Sequence, residues 1–343
     1  MYRNRISSYK ELENLLNSKL LVYITSDRRG FETQIAGDVI DILINQLDKI
    51  GFIPKISLYL YSRGGETAAA WNIVNLLKLY CDELQVIVPR KAHSAGTIIC
   101  IGANSIIMTK QATLGPIDPS INTFLNPPIP GAPPQNTYPV SVEAVKGYLA
   151  FAKEELSIED DAALSNIMIK LSDSVHPLVL GQAYRLRTQI KMLAEKLLVN
   201  QVTDPAKIKQ IIAFLCSDSG SHDYTINRRE AKNSLGLNVI EPDPEVYKVI
   251  KRIYDDIDEE LGFCLPFDIR IAANTNSGEY SIKRGLIESI SGGSDFFITQ
   301  GRATFVQMHP NHLKMPPMGI PQEGIQDERI FEGWKHESAI IFS

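Results

Sequence analysis

The chain has 343 residues, which at roughly 150 residues per domain allows two domains, or one large domain with an appendage. At 44% hydrophobic and 22% charged, with 22 glycines and 19 prolines, it is composed like a globular protein, which excludes a collagen-like, coiled-coil or disordered chain. A formal charge of -5, with no Lys/Arg block longer than a pair such as Arg28-Arg29 or Arg228-Arg229, argues against nucleic acid as a partner.

In chain order, residues 20–25 (LLVYIT) read as a strand, 37–49 as an amphipathic helix and 55–61 (KISLYLY) as a second strand rich in β-formers. The alternation repeats with a helix at 67–80, a strand at 84–88 (LQVIV), a short helix at about 94–102 and a strand at 105–109. Such alternation predicts a mostly parallel sheet covered by helices, whose function gathers where strands end and helices begin. Residues 119–139 carry seven prolines and no charge, so they read as an irregular excursion. A helical block follows over 141–216, with helices at 142–156, 160–170, 177–199 and 205–215. After Glu241-Pro242-Asp243-Pro244 come a helix at 245–261 and two alternating stretches, 280–290 and 295–308, joined by a Ser-Gly-Gly-Ser hairpin signal. This divides the chain into a unit at 1–240 and a C-terminal extension at 241–343.

The four cysteines lie far apart with no CxxC or His-rich spacing, which supports neither disulfides nor zinc and fits a reducing, cytoplasmic setting. The first 19 residues have scattered charges and no apolar core, so no export signal is expected. The longest uncharged apolar stretch, 95–108, is interrupted by glycines and polar residues and is too short to span a bilayer. No transmembrane segment is expected, and peripheral membrane association is left open.

Two turns concentrate small residues: Ser62-Arg63-Gly64-Gly65-Glu66 after one strand, and Ala92-His93-Ser94-Ala95-Gly96-Thr97 before an apolar helix. A serine at a strand-to-helix turn needs small neighbours so that its hydroxyl protrudes and a carbonyl can approach, which makes Ser94 a candidate nucleophile. The helix behind it aims free N–H groups at the place where an oxyanion forms, with Ala95 N–H as one donor. Gly65 is the candidate second donor, since a glycine can turn its backbone inward without a Cβ. The same patterns also serve as an ordinary helix cap and an ordinary turn.

The stretches LYLYSRGGETAAAWNIVNLL, KAHSAGTIICIGANSIIMTKQATLGPIDPSI and SHDYTINRREAKNSLGL resemble the Clp/crotonase superfamily of peptidases, and within it the serine dehydrogenase proteinase family, over residues 20–239. The resemblance implies an α/β fold: a Clp/crotonase-like spiral of β-β-α units with a parallel sheet, a helical insertion and a C-terminal α+β extension. It also implies a bacterial serine peptidase working through a Ser94 acyl-enzyme with a Gly65/Ala95 oxyanion hole, on peptide or protein substrates, with neither cofactor nor metal. Homo-oligomers are implied as well, trimers or multiples of them, and the uncharged, apolar excursion fits a subunit contact.

Two departures bear on the chemistry. Arg63 stands where many relatives have proline, and Asp118 stands near where the Clp proteolytic subunit has its catalytic histidine, although a carboxylate is a weaker base for a hydroxyl. The general base is therefore open. His176 is the leading candidate, with a working pKa that needs no heavy burial and Pro177 to fix it at a helix start, while Asp118 reads first as a turn-stabilising carboxylate between Pro116 and Pro119 and second as a group that could orient the base. Lys146 and Lys170, as in lysine-dependent signal peptide peptidases, and His222 are the alternatives. His93 is read as structural, Arg185 and Arg187 as surface or ion-pair residues, and the acidic run 255–260 as a solvated helix face. Two further readings stand beside the peptidase: a catalytically inactive oligomeric binding module of the same fold, and a crotonase-like enzyme acting on acyl-thioesters.

Overall fold

The computed structural model describes residues 1–118, 120–133, 135–218, 220–221, 223–275, 277–308 and 322–338. In chain order its elements are α1 (Tyr2–Leu16), β1 (Lys19–Thr25), α2 (Ile40–Ile50), β2 (Ile53–Tyr61), α3 (Thr67–Lys78), β3 (Cys81–Val88), β4 (Lys91–Ala92), α4 (Ala95–Gly102) and β5 (Ser105–Met108). Short strands β6 (Thr113–Leu114), β7 (Ser120–Ile121) and β8 (Val140–Ser141) lead into the helices α5 (Val142–Ala150), α6 (Asp161–Ser174), α7 (Pro177–Leu198) and α8 (Pro205–Ala213). The chain then forms β9 (Ile226–Asn227), β10 (Val239–Ile240), α9 (Pro244–Leu261), α10 (Ile269–Ala273), β11 (Glu279–Ser289), β12 (Gly293–Met308) and β13 (Gln322–Glu337).

Among the described residues the main sheet has eight strands in the order β10-β5-β3-β2-β1-β11-β12-β13. The first five run parallel, as the alternation predicts, and the last three are antiparallel, so the C-terminal hairpin continues the same sheet through the β1–β11 pairing. Alternate residues of each central strand serve opposite faces. Leu21, Leu58, Leu60, Val86 and Val88 pack under α2, α3 and α4, while Leu20, Val22, Tyr59 and Ile87 pack under α1 and α9. Burial on both faces is why these strands read as continuous apolar runs.

Helix α9 forms because Val246, Val249, Ile250, Ile253, Ile257 and Leu261 recur at helical spacing on its buried side. Asp243 caps its start and Gly262, at φ 64°, ends it. Helix α7 has two roles along its length: Ile190, Ala194, Leu197 and Leu198 join the main core, whereas Val179 and Ala183 join a small satellite cluster with Ile121, Val140 and Val142. Helix α6 has no buried residue at all.

Three readings of the sequence are corrected. Residues 2–16, to which no element was assigned, form α1, and residues 322–337 form the edge strand β13. The acidic run on α9 is not all solvated, because Asp256 and Glu260 turn toward the buried Arg5.

Candidate active site

The turn after β2 is fastened on two sides. The backbone N–H of Ser62 donates to Lys91 O at 3.1 Å and its carbonyl accepts from His93 N–H at 3.0 Å, so this turn lies alongside the segment leading to Ser94. Ser62 Oγ accepts from Thr25 Oγ1 at the end of β1 and from Gly64 N–H, at 2.9 and 3.0 Å. On the other side Ile35 N–H donates to Gly64 O and Ile35 O accepts from Glu66 N–H, both at 2.8 Å. Those bonds use the groups flanking Gly65 and leave its own N–H, which has no partner among the described residues, facing away from Ile35. Gly64 and Gly65 sit at φ 122° and 148°, a conformation closed to most side chains.

Ser94 faces this turn. A Cβ at Gly64 would stand 2.7 Å from Ser94 Cβ and 3.2 Å from its Oγ, so the missing side chain is the room in which the hydroxyl sits. Ser94 itself has φ 50° and ψ −113°, a strained backbone for a residue with a side chain, of the kind a strand-to-helix nucleophile turn imposes. Behind it Gly96 N–H donates to His93 O at 2.8 Å and Ile98 N–H to Ser94 O at 3.1 Å. The N–H of Ala95, first residue of α4, has no acceptor among the described residues and adds to the positive end of the helix. Thr97 Oγ1 lies 2.9 Å from Ala92 O and 2.8 Å from Gly115 O and accepts from Gly115 N–H, tying this turn to the loop that carries Asp118. His93 Nε2 lies 2.9 Å from Thr113 Oγ1, away from Ser94.

Ser94, Gly64, Gly65 and Asp118 line one cleft of about 670 Å³, together with Glu32, Gln34, Arg63, Leu186 and others. Asp118 is only 8% exposed, and its loop is fixed by Ile117 N–H donating to Leu215 O at 2.8 Å. The same Asp118 lines an adjoining cavity of about 440 Å³ that holds Lys146, Glu143 and Cys216. Lys146 Nζ is 3.9 Å from Glu143 Oε2, and Glu143 also accepts from Arg187 Nε at 2.9 Å, so Arg187 is an ion-pair residue.

Of the other sequence candidates, His176 and Lys170 are not brought to this cleft. His176 is exposed at the start of α7, where its Nδ1 accepts from Leu178 N–H at 3.2 Å. At 1.5 Å of rise per residue it lies roughly 15 Å along the axis from Leu186, the part of α7 that reaches the cleft. Lys170 is exposed and paired with Asp173. His222 lies outside the described residues. Burial pushes the Cys216 thiol up to about 12 and Cys100 upward too, so neither offers a thiolate. The cleft wall formed by Glu32, Thr33 and Gln34 was missed, because no local pattern marks the pairing of Ile35 with Gly65.

Residues 46–135, which contain both turns, match the family of ClpP-like SDH-type serine proteinases, and the α/β architecture is of that ClpP-like type. Over these residues the resemblance read from the sequence is borne out. Among curated proteins the chain is similar to two uncharacterized proteins of Methanocaldococcus jannaschii, one 29% identical over 199 residues, covering 58% of each chain. The other is 28% identical over 197 residues, covering 57% of this chain and 56% of its own. The matched region thus spans under two thirds of either relative's length, and their archaeal source leaves the expected bacterial origin without support. Among solved structures it is similar to a mutant of the 1510-N membrane-bound stomatin-specific protease, with TM-score 0.38 and 16% identity over 71% of this chain and 86% of that one. ClpP1 from Listeria monocytogenes is similar with TM-score 0.36 and 14% identity over 68% of this chain and 98% of that one.

Proposed function

We propose that the protein is a serine peptidase in which Ser94 attacks a peptide carbonyl while the N–H groups of Gly65 and Ala95 hold the oxyanion. The observation that carries this reading is the strained Ser94 at a helix start, facing Gly64 in a cleft that Gly65 also lines, with the N–H groups of Gly65 and Ala95 left without an acceptor among the described residues. The Ser94 hydroxyl gives its proton to a base as its oxygen bonds to the carbonyl carbon. Collapse of the tetrahedral species breaks the C–N bond, the amine leaves with that proton, and water then hydrolyses the acyl ester. As base we infer Lys146, whose cavity adjoins the Ser94 cleft at Asp118. Residues 1–240 supply these groups, and 241–343 complete the sheet beside them.

The test is labelling of the purified protein with a fluorophosphonate probe and location of the adduct by mass spectrometry. Modification at Ser94, lost in Ser94→Ala together with peptide hydrolysis, is the expected result. A protein that stays unlabelled but binds coenzyme A would replace this reading with acyl-thioester chemistry.

A further inference from the structure

We propose that Arg284, in the C-terminal hairpin, is a positioning residue that holds the Gly64-Gly65 turn in place through the loop at residues 26–36, an assignment that rests on the peptidase reading and gives the C-terminal extension a part in it. The β11–β12 ladder shifts register between Lys283 and Gly285, so Arg284 is the residue left out of the pairing. A bulge of this kind re-aims a side chain, and here it sends the guanidinium across to the loop. Arg284 Nε donates to Phe31 O at 3.1 Å and Nη2 to Glu32 O at 2.7 Å, a fork closed on two successive carbonyls. Nη1 is held in turn by Thr299 Oγ1 at 3.0 Å and Glu332 Oε2 at 2.8 Å, from β12 and β13. The carbonyl of Arg284 accepts from Thr33 Oγ1 at 2.6 Å and from Ser26 N–H at 3.0 Å. Side chain and backbone of one residue therefore grip the loop at four points.

What the loop does next explains why that grip matters. Two residues beyond Thr33, Ile35 makes both backbone bonds that flank Gly65, and its carbonyl oxygen stands 2.1 Å from where a Gly65 Cβ would be. A shift of Ile35 moves the Gly65 peptide with it. Glu32, Thr33 and Gln34 are also a wall with space on both sides: the Ser94 cleft on one, and on the other a cavity of about 200 Å³ that Arg284, Phe297 and Trp334 line from the hairpin. A wall open on both faces takes its position from hydrogen bonds more than from packing. Arg284 supplies those bonds from a rigid sheet.

The test compares Arg284→Met and Arg284→Lys with Arg302→Met, which removes only the exposed Arg302–Glu279 pair on the same sheet. Backbone amide exchange of Ile35 and Glu66 is expected to quicken at least about tenfold in Arg284→Met while the amides of β2 and β3 keep their protection. Peptide turnover is expected to fall about a hundredfold with KM within about twofold, since a displaced donor weakens the transition state and leaves substrate binding. Arg284→Lys keeps the charge and loses the fork, so it should lie between, and Arg302→Met should match the unaltered protein. Unchanged exchange at Ile35 and Glu66, or exchange that rises equally across the whole sheet, would overturn the proposal. If the unaltered protein takes up no fluorophosphonate and cleaves nothing, the peptidase reading fails, and amide exchange alone still decides whether Arg284 holds the glycine turn.

Discussion

Ser94 occupies a backbone conformation that costs about 1 kcal/mol or more for a residue with a Cβ. Gly65 sits where a Cβ would meet the Ile35 backbone at under 3 Å from its carbonyl oxygen, its nitrogen and its carbonyl carbon. The two positions therefore respond to substitution with opposite signs. Ser94→Gly relieves strain and should raise the unfolding midpoint slightly, by roughly 1 kcal/mol of stability, while ending acylation. Gly65→Ala should lower the midpoint and turnover together, because the bridge to Ile35 has to break to admit the methyl group. Thermal unfolding of the two variants reads both signs, and equal midpoints would show that neither backbone is under the constraint described. The sequence alone marks Gly65 as an oxyanion donor whose missing Cβ lets its backbone turn inward; it holds no trace of Ile35, whose approach makes the position structural as well.

At the scale of elements, what the sequence showed and what it hid follow from burial. The strands β1, β2 and β3 are apolar on both faces and helix α9 carries a strict apolar stripe, so both were legible. Helix α1 was not, because its buried side includes Arg5, Ser8 and two tyrosines, which read as surface. The strand β13 is a charged edge strand and carries no alternation to detect. Arg5 explains how a polar helix is held: it is 1% exposed, donates to Glu288 Oε1 and Glu260 Oε2 at 2.6 Å each, and also meets Asp256. Burial alone would raise the pKa of Glu260, but Arg5 and Lys283 outweigh it and hold the carboxyl down from the usual 4.5 to about 2. A depressed carboxyl stabilises the fold above its unfolded-state pKa and loses that contribution as pH falls through the folded value. The chain should therefore lose on the order of 3 kcal/mol from this group between about pH 4.5 and pH 2. In Glu260→Gln the acid limb of a stability profile should be shallower by about that amount. An unaltered acid limb would show that the ion cluster is not what holds α1 on α9.

Across the whole molecule, exposed large apolar side chains occur at separate places such as Phe52, Leu79 and Ile271, and a larger group lies in the excursion and the helical block. Phe124 is 88% exposed, Leu178 67% and Tyr184 73%, and Phe151, Leu156 and Ile169 are each more than half exposed. All belong to the excursion after Asp118 or to the helices α5 to α7 and their connections. Helix α6 has apolar residues and buries none of them, although most helical stability comes from packing an apolar face. A helix in that state needs a cover, and a second copy of the chain has the same surface to offer in a closed symmetric contact. The position of this block makes assembly matter to the chemistry as well. Lys146 is half-exposed in a cavity walled by α5, and a neighbouring subunit laid over α5 and α6 would exclude water from that cavity. We therefore expect light scattering to give a mass well above 38.2 kDa, with a multiple of three subunits as the number that the family resemblance implies. Deletion of residues 122–136 should lower that mass, and a charged substitution such as Ile169→Glu should split the assembly and reduce peptide turnover with it. A monodisperse monomer that hydrolyses peptide at the full rate would refute both the assembly and its part in preparing Lys146.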